Sequence, residues 1–200
     1  ATMEVKYTNS WASFDLEKEC AEQLIADGCV LISQHADTTG APTACEAKKV
    51  PCVGYNIDMV PTAPDAALTS ATINWGPYYT YAVQSVIDGT AIDTDWSKGV
   101  KDGADAITEL NEKTVAKGTK EKVEEAQKGI EDGTIHVFDT SKFTVGGKTL
   151  EELVESGDED ATKLKDYIKD GYFHESDVAG GMTSAPAFTF IIDGINSITK

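Results

Sequence analysis

Histidines are the first residues to test for catalysis, and the chain has three: His35, His136 and His174. His35 stands two residues before Asp37, a pairing in which a carboxylate orients an imidazole that moves a proton. No nucleophile accompanies it. The sequence holds no Gly-x-Ser-x-Gly elbow, no Gly-x-x-x-x-Gly-Lys phosphate loop, no Gly-x-Gly-x-x-Gly and no His-Glu-x-x-His. His35 therefore reads as a loop histidine making ordinary hydrogen bonds, and no catalytic residue is expected. Asp93-Thr94-Asp95-Trp96-Ser97 opens like a calcium loop, yet Lys98 stands where the sixth position needs Gly and Ala104 where the twelfth needs a bidentate Glu. The acidic run Gly157-Asp158-Glu159-Asp160 reads as solvated surface. Cys20, Cys29, Cys45 and Cys52 include no Cys-x-x-Cys pair. Neither a metal nor a cofactor is expected.

The informative residues cluster where predicted strands end. Four such clusters carry polar or aromatic groups: Asn9-Ser10-Trp11, Gln34-His35-Ala36-Asp37, Asn56-Ile57-Asp58 and Asn74-Trp75-Gly76-Pro77-Tyr78. Polar residues after a strand are ordinary loop composition. Their convergence on one edge is more specific, because open α/β sheets bind ligands in the crevice outside the carboxyl ends of their strands. There Trp11 and Trp75 offer flat faces for stacking, and Asn56 and Asp58 offer groups that read donors on a ligand edge. Packing at a loop–sheet junction is the equally weighted alternative for both tryptophans.

Those edges require an alternation of short strands and amphipathic helices, and the first half of the chain has it. Val5–Thr8 alternates like a first strand. Asp15 caps a predicted helix through Asp27, with Leu16, Cys20, Leu24 and Ile25 as its apolar stripe and Gly28 as its stop. Cys29–Ser33 reads as a strand buried on both faces, a second helix follows Pro42 to Lys49, and Cys52–Tyr55 is a third strand. Ala67–Ile73 and Tyr78–Asp88 give a fourth strand and a helix closed by Gly89. This is the pattern of right-handed βαβ units on a mostly parallel sheet with helices on both faces. Beyond Lys98 it weakens: a strand near Ala106, a charged helix Thr119–Asp132 stopped by Gly133, and paired strands Ile135–Phe138 and Lys142–Val145 around Gly146-Gly147. Glu151–Lys169 is helical in propensity with a break at Gly157, and Ala187–Ile192 reads as a late strand. The expected division is residues 1–97 as a ligand-binding lobe and 98–200 as crossover, helix and tail segments that pack on another lobe.

Composition limits the partners. The 200 residues carry 34 Asp plus Glu against 17 basic side chains, all of them Lys, for a net charge of −17. Such a surface repels nucleic acid, and without Arg there is no bidentate grip on phosphate or carboxylate. A small neutral ligand fits better. No apolar run approaches the roughly 20 residues of a membrane span, and the mean hydropathy is −0.27. The cysteines sit in apolar settings and read as free buried thiols ahead of disulfides. Cys29 and Cys52, at the starts of neighbouring buried strands, are expected to be reduced and slow to react.

The runs Tyr7-Thr8-Asn9-Ser10-Trp11, Gln34-His35-Ala36-Asp37, Val53-Gly54-Tyr55-Asn56-Ile57-Asp58-Met59, Leu68-Thr69-Ser70 and Asn74-Trp75-Gly76-Pro77-Tyr78-Tyr79 resemble the basic membrane protein family. These are substrate-binding lipoproteins of ABC importers related to the purine nucleoside receptor PnrA. The resemblance runs from about residue 4 to Phe138. It implies a type I periplasmic-binding-protein fold, two α/β lobes clamping a ligand, with this chain entering at the second lobe and most of the first lobe expected to lie outside it. It implies an extracytoplasmic, cell-surface protein whose partners are a purine base or nucleoside and an ABC permease, and whose membrane attachment is an N-terminal lipid anchor absent from this chain. The ligand-binding residues it implies are Trp11 or Phe14, Asp37, Asn56, Asp58 and Trp75; two extra residues around Ala12-Ser13 leave Trp11 and Phe14 as alternative aromatics. Where nucleoside-binding members place a ribose-contacting lysine, the aligned residue here is Ile73, which favours a free base. A ligand-sensing domain of a regulator or signalling receptor is the alternative, since one fold hosts both.

Overall fold

The computed structural model describes residues 2–174 and 188–198. They fall into two units, each formed from separated stretches of chain. One comprises Thr2–Asn74, Gly103–Glu125 and the end of the chain from Asn196; the other comprises Trp75–Asp102 and Ala126–Ile195.

The first unit is built on βαβ alternation. Strand β1 (Met3–Lys6) leads into helix α1 (Phe14–Ala26), β2 (Ile32–Ser33), α2 (Gly40–Lys48), β3 (Cys52–Tyr55) and β4 (Ala67–Ile73). The sheet runs β2-β3-β4, all parallel, and is closed by an antiparallel β5 (Asp105–Ile107), which pairs Ile73 with Asp105. The mixed α/β class with a mostly parallel sheet and flanking helices is as the alternation predicts.

Why these residues form the core follows from their size. Ala21, Ala41, Ala44, Cys45, Ala63, Ala66 and Ala67 are buried with Ile32, Cys52 and Met59, so helices and strands approach closely with small side chains between them. The helix–helix contact is closest at Gly40, where a Cβ would collide with the Phe14 carbonyl oxygen and come within 3.1 Å of Glu17 Cβ. Pro42 sits in the first turn of α2, where its missing N–H costs no helical bond. Lys49, in the left-handed conformation at φ 57°, ends that helix and turns the chain into β3.

At the amino ends of β3 and β4 the surface is tied by charge. Asp65 is paired with Lys113 and, at 3.0 Å, with Lys49, which also holds Glu46 at 2.5 Å. Lys113 first, then Lys49, pulls the Asp65 carboxyl down to about 2.

The second unit holds helix α3 (Gly76–Asp88), and its later stretch contains α5 (Leu150–Glu155), α6 (Glu159–Lys163) and a hairpin of β6 (Ile168–Lys169) and β7 (Tyr172–Phe173). Helix α4 (Thr119–Asp132) precedes them, as its sequence pattern predicts. A second small core gathers Leu150, Ala161, Ile168 and Phe173 with Phe138, Phe143, Phe188 and Tyr167 around them. Helix α5 has a full capping box, Thr149 accepting from the Glu152 amide and Glu152 accepting from the Thr149 amide. The last described strand, β8 (Ile195–Ile198), pairs with β1.

Several expected elements shift. Only Ile32–Ser33 of the run Cys29–Ser33 pairs as a strand, and Val30 and Leu31 are exposed: the chain leaves α1 through a turn in which the Cys29 amide bonds back to Leu24. Ile135–Phe138 and Lys142–Val145 are not strands; isolated bridges link Asp139, just past the first, to Tyr172 and Val145 of the second to Lys148. The hairpin falls at Asp170-Gly171, both at positive φ, the dipeptide that favours a tight two-residue turn. Of the expected strand Ala187–Ile192, Ala187 lies outside the described residues and Phe188–Ile192 carry no strand. Among the described residues, no helix is long and apolar enough to cross a membrane.

The Asp65 cluster has a pH signature. Its carboxyl titrates near 3.8 in an ordinary setting and near 2 here. Its stabilising contribution is therefore complete above about pH 4 and is lost as the pH falls towards 2. In chemical denaturation across pH 6 to 2, Asp65→Asn should unfold earlier than the parent above pH 4, and the gap should close near pH 2. A gap independent of pH would show that the ion pairs contribute nothing.

Candidate functional site

At the carboxyl ends of β2 and β3 the first unit brings three loops together, and one buried carboxylate organises two of them. Glu17, on the first turns of α1, is 3% exposed. Its Oε1 accepts from the Ser13 amide at 3.2 Å, in the segment that follows β1. Its Oε2 accepts from the loop after β2: the Thr38 hydroxyl at 2.6 Å, the Thr38 amide at 3.2 Å and Gln34 Nε2 at 3.4 Å. Gln34 closes the same loop by donating to the Thr38 carbonyl at 2.6 Å. A buried carboxylate survives only with such donors around it.

The loop held by Glu17 carries Asp37. Its amide donates to the Trp11 carbonyl at 3.2 Å, so the end of the β1 loop is fixed to it. Its Oδ1 accepts from Asn56 Nδ2 at 2.8 Å, which joins the end of β2 to the end of β3. Asn56 is at φ 66°, a left-handed conformation that asparagine tolerates better than most residues. That twist lets its amide bond to Ala71 at 2.8 Å and its carbonyl accept from Thr72 Oγ1 at 2.7 Å. The exposed amide of Asn56 is thus anchored through its own backbone to the neighbouring strand β4.

The structure therefore brings Trp11, Asp37 and Asn56 into one hydrogen-bonded rim. Trp11 is 87% exposed, with its indole available to solvent. Phe14 opens α1 three residues later with a half-open ring. Asp58 caps its own turn, accepting from the Val60 amide at 2.9 Å, and is an exposed residue. His35 lies flat against Tyr55, ring centroids 4.5 Å apart, which is a packing role. Trp75 belongs to the other unit. There it precedes α3, with its ring 6.1 Å from Tyr79 and 6.4 Å from Tyr78. Behind them Tyr78 meets Trp96 edge-on at 5.3 Å. Ile73, at the end of β4, stands opposite Asp105 of β5, whose carboxyl is raised by burial.

Chemically the rim offers flat aromatic surface and carboxylate and amide oxygens, with no cation among the rim residues. Such a set accepts hydrogen bonds from ring N–H, exocyclic amine or hydroxyl groups on a neutral ligand. Among the described residues, no group of three His, Cys, Asp or Glu converges to hold a metal ion. Sequence reasoning missed Glu17 and Thr38 and gave Gln34 only as a member of the polar cluster after β2; all three position the rim without forming it. A signal existed: Glu17 shares the helix face of Ala21 and Leu24, three to four residues apart, so a carboxylate stood on the buried stripe.

Residues 1–139 match the sequence model of a family described as PnrA-like ABC transporter substrate-binding proteins. The chain is 30% identical over 136 residues to a purine-binding protein of Brucella abortus, covering 68% of this chain and 38% of that protein. It is 27% identical over 144 residues to a Haloferax volcanii protein provisionally named as an ABC transporter glucose-binding protein, covering 72% and 36%. It thus spans less than two fifths of the length of these relatives. Among solved structures, a comK transcriptional activator of Bacillus halodurans superposes with a TM-score of 0.58 at 16% identity, covering 66% of this chain and 47% of that one. An ABC solute-binding protein of Aeropyrum pernix gives 0.53 at 17%, covering 78% and 52%. These likenesses concern the fold.

If Glu17 holds the rim, removing its charge must cost stability locally. Glu17→Gln keeps the shape but turns an N–H₂ towards donors, and should lower unfolding free energy by about 1–3 kcal/mol in urea. Glu19→Gln, on the exposed side of the same helix, should stay within about 0.5 kcal/mol of the parent. Equal effects would show that Glu17 has no special part.

Proposed function

The chain belongs to the Bmp family of PnrA-like ABC transporter substrate-binding proteins, and from that premise we propose that a protein containing it captures a purine base for an ABC permease. The family works outside the cytoplasm; tethering by an N-terminal lipid is part of the proposal. So is the division of labour along the chain, with residues 1–97 supplying a ligand-facing lobe and 98–200 packing on the other lobe. The role is binding and delivery without chemistry on the ligand.

The observation that carries this reading is the Asp37–Asn56 hydrogen bond beside Trp11, at the carboxyl ends of parallel strands, where open α/β sheets bind ligands. In the proposal Trp11 or Phe14 stacks on a face of the base, and Trp75 is a further stacking residue. Asn56, Asp37 and Asp58 read its edges. Ile73 supplies no cation for a ribose, and the surplus of carboxylates turns phosphates away.

Stacking is worth about 1–3 kcal/mol per base by alanine substitution in nucleic-acid binders, and a hydrogen bond to a charged acceptor roughly 1.5–3 kcal/mol. Calorimetry on the full-length protein with adenine, guanine, their nucleosides, a nucleotide and glucose tests the reading. A free base should bind tightest. Trp75→Ala and Asn56→Ala should each weaken it by roughly 5- to 150-fold, and His174→Ala should leave it unchanged. A nucleoside bound more tightly than its base, or measurable nucleotide binding, would overturn the argument from Ile73. Glucose binding alone would replace the purine with a sugar, whose hydroxyls the same carboxylate and amide rim accepts.

A further inference from the structure

The hydrogen-bonding groups of the rim are not all available to a ligand, because some are engaged with each other. Asn56 Nδ2 donates to Asp37 Oδ1 at 2.8 Å. A carboxylate only accepts, so this contact fixes which way the Asn56 amide is turned: reversed, it would set oxygen against oxygen with no proton between them. Both residues are exposed. Among the described residues nothing donates to the remaining side-chain acceptors, Asp37 Oδ2 and Asn56 Oδ1. Against these two acceptors the side-chain pair retains one donor, the second hydrogen of Nδ2.

The loop that carries Asn56 is held before any ligand arrives. Its amide donates to the Ala71 carbonyl at 2.8 Å and its carbonyl accepts from Thr72 Oγ1 at 2.7 Å, so β4 grips both sides of the residue. The Ile57 amide donates back to the Tyr55 carbonyl at 2.8 Å. Just beyond, Met59 is buried against Gly54, where a Cβ would collide with it. On the other side, the Asp37 amide is tied to the Trp11 carbonyl at 3.2 Å. Turning the Asn56 amide over breaks its bond to Asp37 and gains nothing from a backbone already fixed. What the rim presents beside the exposed Trp11 is therefore a preorganised pair of acceptors, to which a ligand must bring the protons.

We infer that the Asp37–Asn56 pair selects, among purines, those with two adjacent N–H donors on the six-membered ring, the edge that guanine carries at N1 and N2. The inference rests on the purine reading above and narrows it. Adenine has an unprotonated N1 and no amine at C2, so it meets the pair acceptor against acceptor. Hypoxanthine keeps the N1 proton but has no amine at C2, and leaves one acceptor without a partner. In 1-methylguanine the N1 proton is replaced by carbon. The N–H of the five-membered ring is common to all four bases and does not discriminate between them. An aromatic side chain stacks on any of their faces. Stacking therefore supplies affinity, and the Asp37–Asn56 pair supplies the choice.

Equilibrium dialysis of the full-length protein against guanine, hypoxanthine, adenine and 1-methylguanine reads that choice. Guanine should bind about 5- to 150-fold more tightly than each of the other three, the discrimination of one bidentate contact. Asp37→Asn keeps the shape, but its carbonyl now accepts from Asn56 and its own amide presents a donor. In that variant guanine should lose its lead over adenine and hypoxanthine. The parent series decides alone where Asp37→Asn does not fold. Any of the three other bases bound by the parent as tightly as guanine, or an undiminished guanine lead in folded Asp37→Asn, would overturn this inference and leave the purine reading standing. Binding of none of the four would overturn both.

Discussion

One buried carboxylate sets the geometry of the rim. Glu17 sits on the stripe of α1 that faces the core, yet among the described residues it pairs with no cation; it gathers the Ser13 and Thr38 amides, the Thr38 hydroxyl and the Gln34 side chain. Those groups belong to the segments that follow β1 and β2, which carry Trp11 and Asp37. A carboxylate with these donors is satisfied only when both loops are in place, so loop position and helix burial are coupled. Gly40 makes the coupling tight by letting α2 close on the first turns of α1, where Phe14 and Glu17 lie.

The opposite end of the sheet is held by a different force. There Asp65, Lys49, Glu46 and Lys113 form exposed ion pairs that join the end of α2, the turn before β4 and the segment after β5. Exposed pairs weaken with salt, whereas the buried Glu17 web is less open to screening. The arrangement keeps the more robust interaction beneath the carboxyl ends of the strands. Between the two ends, a core of alanines and cysteines lets α2 lie directly on β3 and β4, and so sets where Tyr55 ends and Asn56 begins.

The regular part of the fold was legible because its signals are local. Leu16, Cys20, Leu24 and Ile25 mark one face of α1, Gly28 and Gly89 mark helix ends, and the β3 and β4 bounds fall where the apolar runs place them. The rim was legible as residue types at strand ends, but its wiring was not. That Asn56 takes a left-handed conformation and meets Asp37, 19 residues away, depends on how two loops pack. Glu17 was hidden because charged residues surround it in sequence, so its position on the buried stripe was the only mark. Later in the chain, Ile135–Phe138 and Lys142–Val145 have strand-like composition but lack partners in register. The Asp170-Gly171 turn, a local signal, creates the hairpin instead.

The central claim is that the rim of Trp11, Asp37 and Asn56 is where this family member meets its ligand. A crystal structure of the full-length protein grown with adenine tests it most directly. The account predicts the base stacked on Trp11 or Phe14, with its polar edge within hydrogen-bonding distance of Asn56 and of an Asp37 or Asp58 oxygen. Adenine bound elsewhere, with the Asp37–Asn56 rim empty, would contradict it.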